Sequence, residues 1–169
     1  DHLKDTETIF DILGILDHCA DTESYRIVQD KSIFGVVDIG GDDRGALAMG
    51  RYAPAILRQN DYEMLLVINK FRPLTPDCAS TIGVMREIET AAGMKFTGII
   101  NNSNLGDETT AEDILSSDKY AEEISKASGL PIKMTTVKDD LYESVKDNIP
   151  DCFPIKLYVK QSWAKSIAE

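Results

Sequence analysis

The sequence predicts an α/β fold of three layers (α/β/α), with helices on both faces of a mostly parallel sheet. Two observations support this prediction. From residue 33 onward, short apolar runs alternate with helical patterns of apolar residues, as in strands joined by right-handed helical crossovers. The run EMLLVIN is apolar along most of its length, which is typical of strands that are buried on both faces.

The composition is that of one ordinary globular domain. The chain has 169 residues, of which 43% are hydrophobic and 28% are charged, and its net charge is −11. This charge argues against binding to nucleic acid, although backbone N–H groups could still hold an anion. No apolar run approaches the roughly 18 residues of a membrane span. The three cysteines form no CxxC pair, which favours reduced thiols and a cytoplasmic location.

Residues 1–32 are expected to form an N-terminal segment of helix and loop ahead of an α/β domain over residues 33–169, within a single domain overall. The stretch DTET at residues 5–8 resembles a helix start, and the apolar residues after it share roughly one helical face. The segment could pack on the sheet, belong to an upstream unit or bind a partner, and the first of these is favoured. Because the sequence begins with Asp1, we expect that the chain either was processed or is a piece of a longer protein, and the second is favoured.

The later elements follow from apolar runs and from turn residues. Strands are predicted over residues 33–39, 63–69, 96–100, 131–137 and 154–159. A helix over residues 45–59 should be interrupted at Pro54. The next helix should be capped by Thr75 and ended by Gly93.

Two capping boxes predict the remaining helices of the domain. Thr109 with Glu112 opens a helix that should break near Ser117 and stop at Gly129, and the pair at residues 140 and 143 opens a shorter one. Alternation in the last strand suits a sheet edge. The tail at residues 161–169 is expected to be a short helix whose Trp163 packs on the sheet, with a membrane-surface helix as the weaker alternative.

Polar residues stand at the ends of four predicted strands. They cover residues 38–43, 69–72, 101–104 and 135–138. Because the carboxyl ends of parallel strands share one edge of a sheet, we expect these residues to converge there, where ligands of such sheets bind.

The stretch FGVVDIGGDDR is the most informative of these. Asp38 ends an apolar strand just before Gly40 and Gly41, which let the backbone approach a bound group closely. Asp38 could equally be a buried carboxylate satisfied by backbone N–H groups or a group associated with Mg²⁺. For Asp42 and Asp43, a solvated turn or a charge at a helix start is the commoner explanation.

The pair Asn101 and Asn102 could serve only to shape a turn. An asparagine amide also offers a donor and an acceptor, and this combination suits the edge of a purine. Lys70 and Arg72 could bind an anion, although solvated loop positions explain them better.

As a set, VVDIGGDDRGA, VINKFRPLT and FTGIINNSNLGDETT resemble the deviant-Walker P-loop NTPases, the MinD/ParA/CobQ-like group, over roughly residues 33–160. The resemblance implies that Asp38 is the Walker B aspartate, which holds Mg²⁺ through water. It implies that the segment from Gly40 and Gly41 to Asp42 and Asp43 is the switch that senses the γ-phosphate.

The same resemblance implies a base site. Asn101, with its neighbour Asn102, would recognise the adenine ring, and the backbone near Val137 would flank the base on its other side. The preference for adenine over guanine rests on the resemblance alone.

One departure limits what the resemblance implies. The group's glycine-rich phosphate loop with its lysine supplies most of the phosphate binding, and the sequence has no Gly-Lys dipeptide. We therefore expect the C-terminal part of an ATP-dependent switch, without the first βα unit and unable to hydrolyse ATP alone. In the intact protein, ATP and Mg²⁺ would be sandwiched in a homodimer, and hydrolysis would reset a protein partner. Neither cofactor is expected to bind this chain tightly.

Two other functions remain open. The main alternative is a binding or scaffold module of the same fold without the phosphate loop, whose acidic surface recruits a basic partner. A receiver domain phosphorylated on Asp38 ranks last, because residues 1–30 show no strand-like run that ends in an acidic pair.

Overall fold

The computed structural model describes residues 8–11, 34–40 and 43–158. They fall into two compact units. The first comprises the described part of Asp1–Met64 together with Ile82–Thr97, and the second comprises Leu65–Thr81 together with the described part of Gly98–Glu169. The assignment of residues 33–169 to one domain stays a prediction.

The first unit contains a two-stranded parallel sheet. Strand β1 (Thr8–Asp11) pairs with β2 (Gly35–Asp38), so that Asp11 stands opposite Asp38. The helix predicted for the N-terminal segment is therefore wrong at residues 8–11, where pairing with β2 outweighs a local apolar pattern that also fits a helix. The rest of that predicted helix lies outside the described residues. Strand β1 ends in one acidic residue and not in the pair that a receiver domain requires.

Two short helices follow β2 in the first unit. Helix α1 (Asp43–Gly50) and helix α2 (Ala53–Gln59) are separated at residues 51–52, and Pro54 lies in the first turn of α2. The predicted interruption is confirmed, since proline fits a first turn and not a helix interior. The core of this unit is formed by buried residues of these helices and of the segment 92–94: Ala46, Met49, Tyr52, Ala53, Ala92 and Met94.

The second unit contains a four-stranded parallel sheet in the order β3-β4-β5-β6. The strands are Leu65–Ile68, Gly98–Asn101, Ile132–Lys138 and Cys152–Ile155. The connections between them carry the starts or the whole of α3 (Cys78–Ala92), α4 (Ala111–Ser128) and α5 (Tyr142–Val145). The α/β class and the parallel sheet are thus confirmed.

One face of this sheet is packed against helices and forms the core of the second unit. Ile99 and Val137 are 0% and 1% exposed. Ile114 of α4 and Val145 of α5 lie in one cluster with Val137 and Ile149. The central strands are therefore buried on this face. The prediction that the run EMLLVIN is buried on both faces is wrong, because Val67 of β3 is 59% exposed.

The start of α3 differs from the prediction. Asp77 and not Thr75 caps the helix, because the Asp77 carboxylate accepts the N–H of Ser80 at 2.8 Å. Thr75 instead closes a turn with Arg72. The predicted end is confirmed, since Gly93 follows α3 with a φ of 65°, a conformation that favours glycine.

Helix α4 also begins one residue later than predicted. Its capping box is formed by Thr110 and Asp113. Thr109 cannot cap the helix because its hydroxyl accepts the Leu105 N–H and donates to the Gly106 carbonyl. The predicted break near residue 117 is wrong, since α4 runs unbroken to Ser128, and the predicted stop at residue 129 is confirmed.

The last two elements begin differently from their predictions. No side chain caps α5, which continues from a 3₁₀ turn at Asp139–Leu141. The predicted partners Asp140 and Glu143 form ion pairs with Lys138 and Lys146 instead. Strand β6 starts two residues before the predicted strand, and the predicted tail helix lies outside the described residues.

Candidate functional site

Three neighbouring strands of the second unit bring polar side chains to one edge of the sheet. Strands β3, β4 and β5 run parallel, so their carboxyl ends lie together. Hydrogen bonds join the residues at these ends, so the expected convergence is confirmed for these three of the four strand ends. The convergence of residues 38–43 with them stays a prediction. We call the following residues the asparagine cluster: Asn69, Asn101, Asn102, Ser103, Asn104 and Thr136.

Asn101 is the buried centre of the asparagine cluster. Its side chain is 0% exposed. The amide nitrogen donates to the Ser117 hydroxyl at 2.9 Å, and the amide oxygen accepts the hydroxyl and the N–H of Ser103 at 2.7 and 3.2 Å. Buried amides need such partners. Asn101 thus ties the end of β4 to α4, and a base contact would require it to exchange one of these bonds.

Asn102 points the other way. Its amide oxygen accepts the hydroxyl of Thr136, at the end of β5, at 2.7 Å. Its backbone N–H donates to the Ile68 carbonyl at 2.9 Å. The amide nitrogen of Asn102 makes no hydrogen bond to any residue in the described part of the chain. Asn102 is therefore a half-buried amide whose donor end is held in place and has no protein partner there.

Hydrogen bonds of Asn69 and Asn104 join the loop after β3 to the loop after β4. The Asn69 amide oxygen accepts the N–H groups of Phe71 and Asn104 at 3.0 and 3.3 Å, and its nitrogen donates to the Asn104 carbonyl. The Asn104 side chain in turn donates to the Asn102 carbonyl at 2.8 Å. The Lys70 N–H donates to Ser103. Because each loop holds the other, the cluster is preorganised.

Two lysines near the asparagine cluster are already engaged. The Lys70 ammonium group donates to the carbonyl and the hydroxyl of Ser116, both at 3.2 Å. The Lys138 ammonium group lies 3.4 Å from Asp140 and 3.5 Å from Asp107. The hydrogen bond and charge of Asp140, followed by Asp107, raise the pKa of Lys138. An anion at this edge would compete with these partners for both lysines.

Val137 contributes only its backbone at this edge. Its side chain is 1% exposed and packs in the core with Ile114 and Val145. The residue follows Thr136 directly in β5. Its predicted place beside a base stays a prediction.

The first unit carries the residues predicted for metal binding and for switching. Asp38 is exposed at the end of β2, so the alternative of a buried structural carboxylate is wrong. Gly40 is half-buried, and a side chain at Gly45 of α1 would come within 3.0 Å of the Gly40 carbonyl. This segment is therefore packed tightly under α1.

The other predicted switch residues are less fully described. Asp43 begins α1, and Gly41 and Asp42 lie outside the described residues. Within the described ranges, no three His, Cys, Asp or Glu side chains form a group that could hold a metal ion. The Mg²⁺ and switch assignments stay predictions.

The sequence interpretation missed the role of Ser117. A signal was available, because Ser117 shares a helical face with the apolar residues Ile114 and Ala121. A polar residue on a face that packs against a sheet needs a polar partner. Asn101 at the end of β4 is that partner.

Comparisons of the chain with protein-family models, with curated proteins and with solved structures found no match. Among the described helices, none is long and apolar enough to cross a membrane. The fold and the site therefore define the chain as an α/β protein with a cluster of amides at the carboxyl edge of a parallel sheet.

Proposed function

We propose that the chain is the C-terminal part of an ATP-binding switch protein of the MinD/ParA/CobQ-like group, in which the asparagine cluster recognises the adenine base. The chain alone binds adenine nucleotides weakly and does not hydrolyse ATP, because its sequence lacks the Gly-Lys phosphate loop. In the intact protein, ATP and Mg²⁺ lie in a homodimer, and hydrolysis resets a protein partner. The complete fold in this proposal has three α/β/α layers.

The observation that supports this proposal best is the meeting of several amides at the carboxyl edge of three parallel strands. This is where open α/β sheets bind their ligands. An amide offers both a donor and an acceptor, which the edge of adenine also presents. The mutual hydrogen bonds of the cluster hold these groups before any ligand arrives, which lowers the entropy cost of binding.

Asn102 is the member of the asparagine cluster that is best placed to reach a base. Thr136 holds its amide oxygen, so its amide nitrogen is oriented as a donor. Asn101 then has an indirect role, because its amide oxygen accepts the Ser103 hydroxyl and so fixes the end of β4. The predicted base contact from Asn101 itself would require its bond to Ser117 to open.

The metal and switch roles in this proposal stay with Asp38 and the segment Gly40–Asp43. Their support is local. Asp38 is exposed at the carboxyl end of a parallel strand, and helix α1 begins five residues later at Asp43. A carboxylate in this position can hold Mg²⁺ through water.

Calorimetric titration of Mg·ATP into the chain, with AMP and Mg·GTP as comparisons, tests the proposal. We expect weak binding that is shared by ATP and AMP and is absent for GTP. Absence of binding for both adenine nucleotides would overturn the base assignment. Tight binding of ATP alone would contradict the expectation that the phosphate site is lacking.

Variants locate the site within the cluster. Asn102→Ala should lower the AMP affinity about 5- to 10-fold, as expected for one hydrogen bond of about 1 kcal/mol. Asn148→Ala, at an exposed position after α5, is the matched control and should change nothing. Unchanged affinity in both Asn102→Ala and Asn101→Ala would remove the base site from this cluster.

One observation favours the alternative of a binding or scaffold module without nucleotide chemistry. The amide of Asn101 is fully engaged inside the protein, as it would be if the cluster only shaped the loops. In that case, no nucleotide binds, and Asn101→Ala affects stability alone. The same titration therefore separates the two functions.

A further inference from the structure

The loop after β3 is held at both of its ends. We call residues 69–77 the β3 loop. Its first end belongs to the asparagine cluster, where Asn69 bonds to the loop after β4. Two turns follow, in which the Arg72 N–H donates to the Asn69 carbonyl and the Thr75 N–H donates to the Arg72 carbonyl, both at 3.1 Å. At the far end, the Tyr120 hydroxyl of α4 donates to the Thr75 carbonyl at 2.9 Å.

Tyr120 is a buried hydrogen-bond donor. The residue is 5% exposed, and its hydroxyl also lies 2.8 Å from the hydroxyl of Thr81, which is 2% exposed. Burial raises the pKa of the Tyr120 phenol, so the phenol keeps its proton at neutral pH. Buried hydroxyls need hydrogen-bond partners, and Tyr120 finds both of its partners at the two ends of the turn that leads into α3.

Two hydrogens serve three short contacts in this network. The hydroxyls of Tyr120 and Thr81 carry one hydrogen each. Besides the two contacts of Tyr120, the Thr81 hydroxyl lies 2.8 Å from the Asp77 carbonyl. That carbonyl also accepts the Thr81 N–H and the Ser80 hydroxyl. In the described part of the chain, by contrast, the Thr75 carbonyl accepts a hydrogen bond only from Tyr120. The Tyr120 hydrogen therefore goes to Thr75, whichever way the Thr81 hydroxyl points.

The same turn of α4 holds other parts of the site. Ser117 lies three residues before Tyr120 on the buried face of α4, and its hydroxyl accepts the Asn101 amide at the end of β4. Ser116 accepts the Lys70 ammonium group. One turn of α4 thus contacts the end of β4 and two points of the β3 loop.

We propose that Tyr120 is a positioning residue of the asparagine cluster, which acts through the β3 loop and touches no ligand itself. Its hydroxyl holds Thr75 at the far end of the loop and so keeps Asn69 on Asn104. The Asn104 side chain in turn donates to the Asn102 carbonyl at 2.8 Å. The effect of Tyr120 on a base site rests on the proposed function, whereas its effect on the loop does not.

Two variants that each remove one hydroxyl test this proposal in the full chain. Tyr120→Phe keeps the ring and removes the donor to Thr75. Thr81→Val is the matched control, because it removes a buried hydroxyl from the same network and leaves the bond between Tyr120 and Thr75 intact. A general loss of stability would appear in both variants, and urea unfolding measures it and establishes that both are folded. A loss of loop order should appear in Tyr120→Phe alone.

Amide hydrogen exchange, followed by NMR without nucleotide, measures the order of the β3 loop. In Tyr120→Phe, we expect the Thr75 N–H and the Asn104 N–H, which donates to Asn69, to exchange about 2- to 10-fold faster, the factor that one hydrogen bond supplies. Thr81→Val should leave both rates unchanged. Unchanged rates in Tyr120→Phe, or an equal rise in both variants, would overturn the proposal.

Titration of AMP measures the consequence for the site. Tyr120→Phe should lower the AMP affinity about 2- to 5-fold, because part of the binding energy is then used to order the loop. Thr81→Val should leave the affinity unchanged. Unchanged affinity in Tyr120→Phe, despite faster exchange in the loop, would overturn the link between the loop and the base site. If the unmodified chain binds no AMP, the proposed function fails, and the exchange rates alone decide whether Tyr120 positions the cluster.

Discussion

Each unit of the protein contains a buried polar side chain whose partners can be compared. One is a carboxylate that forms ion pairs, and the other is an amide that forms hydrogen bonds with neutral groups. In the first unit, the Glu89 side chain is 4% exposed and contacts Arg86 at 2.8 Å and Lys95 at 2.7 Å. In the second unit, Asn101 is 0% exposed, and its side chain forms hydrogen bonds with the neutral residues Ser103 and Ser117. The lysine and arginine are themselves largely exposed, whereas Ser103 and Ser117 are buried with Asn101.

The difference indicates how each site responds to change. Loss of Glu89 frees two cations that water can solvate at once. Loss of Asn101 leaves buried polar groups without hydrogen-bond partners, and water cannot reach them. These groups lie at the edge of the sheet where a ligand is expected. The first site should be sensitive to pH, and the second should be insensitive to pH but sensitive to substitution.

Asn101→Ala should have the largest effect. It leaves the buried N–H of Ser103 without its acceptor and removes the hydrogen bond to α4. We expect the free energy of unfolding to fall by about 3 kcal/mol for the loss of these two interactions. Urea unfolding measures it, with Asn148→Ala at an exposed position after α5 as control. A loss no larger than that of the control would show that the buried network is not stabilising.

Glu89→Gln should come next. Glutamine keeps an acceptor for the Phe96 N–H but loses the charge that faces Arg86 and Lys95. Because both cations remain hydrated, we expect the free energy of unfolding to fall by about 2 kcal/mol at pH 7, which is below the range for a fully buried ion pair. A loss larger than that of Asn101→Ala would reverse the comparison.

Gly98→Ala should have a smaller effect. A Cβ at Gly98 would lie 2.7 Å from Cγ and 2.9 Å from Cε of Lys133. The lysine stem can shift, so we expect a loss of about 1 kcal/mol. Gly83→Ala in α3 is the comparison without a clash, because a Cβ added at Gly83 would meet no atom within 4 Å; it should be neutral or stabilising, since alanine favours a helix interior. Unchanged stability of Gly98→Ala relative to the unmodified chain would show that the Lys133 stem moves freely.

The smallest effect should be the pH dependence of Glu89. Burial raises its pKa, but hydrogen bonds from Lys95, Arg86 and the Phe96 N–H outweigh burial and hold the pKa below the ordinary value. The stability that this shift contributes is present above the unfolded-state pKa of about 4.3 and is lost as pH falls through the lower folded value. The advantage of the unmodified chain over Glu89→Gln should therefore shrink below about pH 4.3. A stability advantage that grows below this pH would contradict the prediction.

Much of the fold could be predicted because its signals are local. The strands of the second sheet are apolar runs, and Gly93 and Gly129 end helices by adopting positive φ values of 65° and 76°. Strand β1 could not be predicted, because its apolar residues also fit a helix and only pairing with β2 decides between them. Thr109 with Glu112 fits the capping-box pattern in the sequence, but the loop bonds of Thr109 leave Thr110 to cap the helix.

For the candidate site, the sequence predicts the location but not the directions of its side chains. Polar residues at strand ends identify the edge of the sheet. The opposite directions of Asn101 and Asn102 depend on which face the helices cover, and the partner of Asn101 on that face is Ser117, which lies sixteen residues away in the sequence. That information is tertiary, so no local pattern contains it.

The strand order β3-β4-β5-β6 has a consequence for how the second unit forms. Each strand after the first pairs with the strand made just before it. The loops that must close are therefore no longer than one helical connection, so their entropy cost is lower than in a sheet whose neighbouring strands are far apart in the sequence. During synthesis, β4, β5 and β6 can each join an edge that already exists, so this sheet can grow in step with the ribosome.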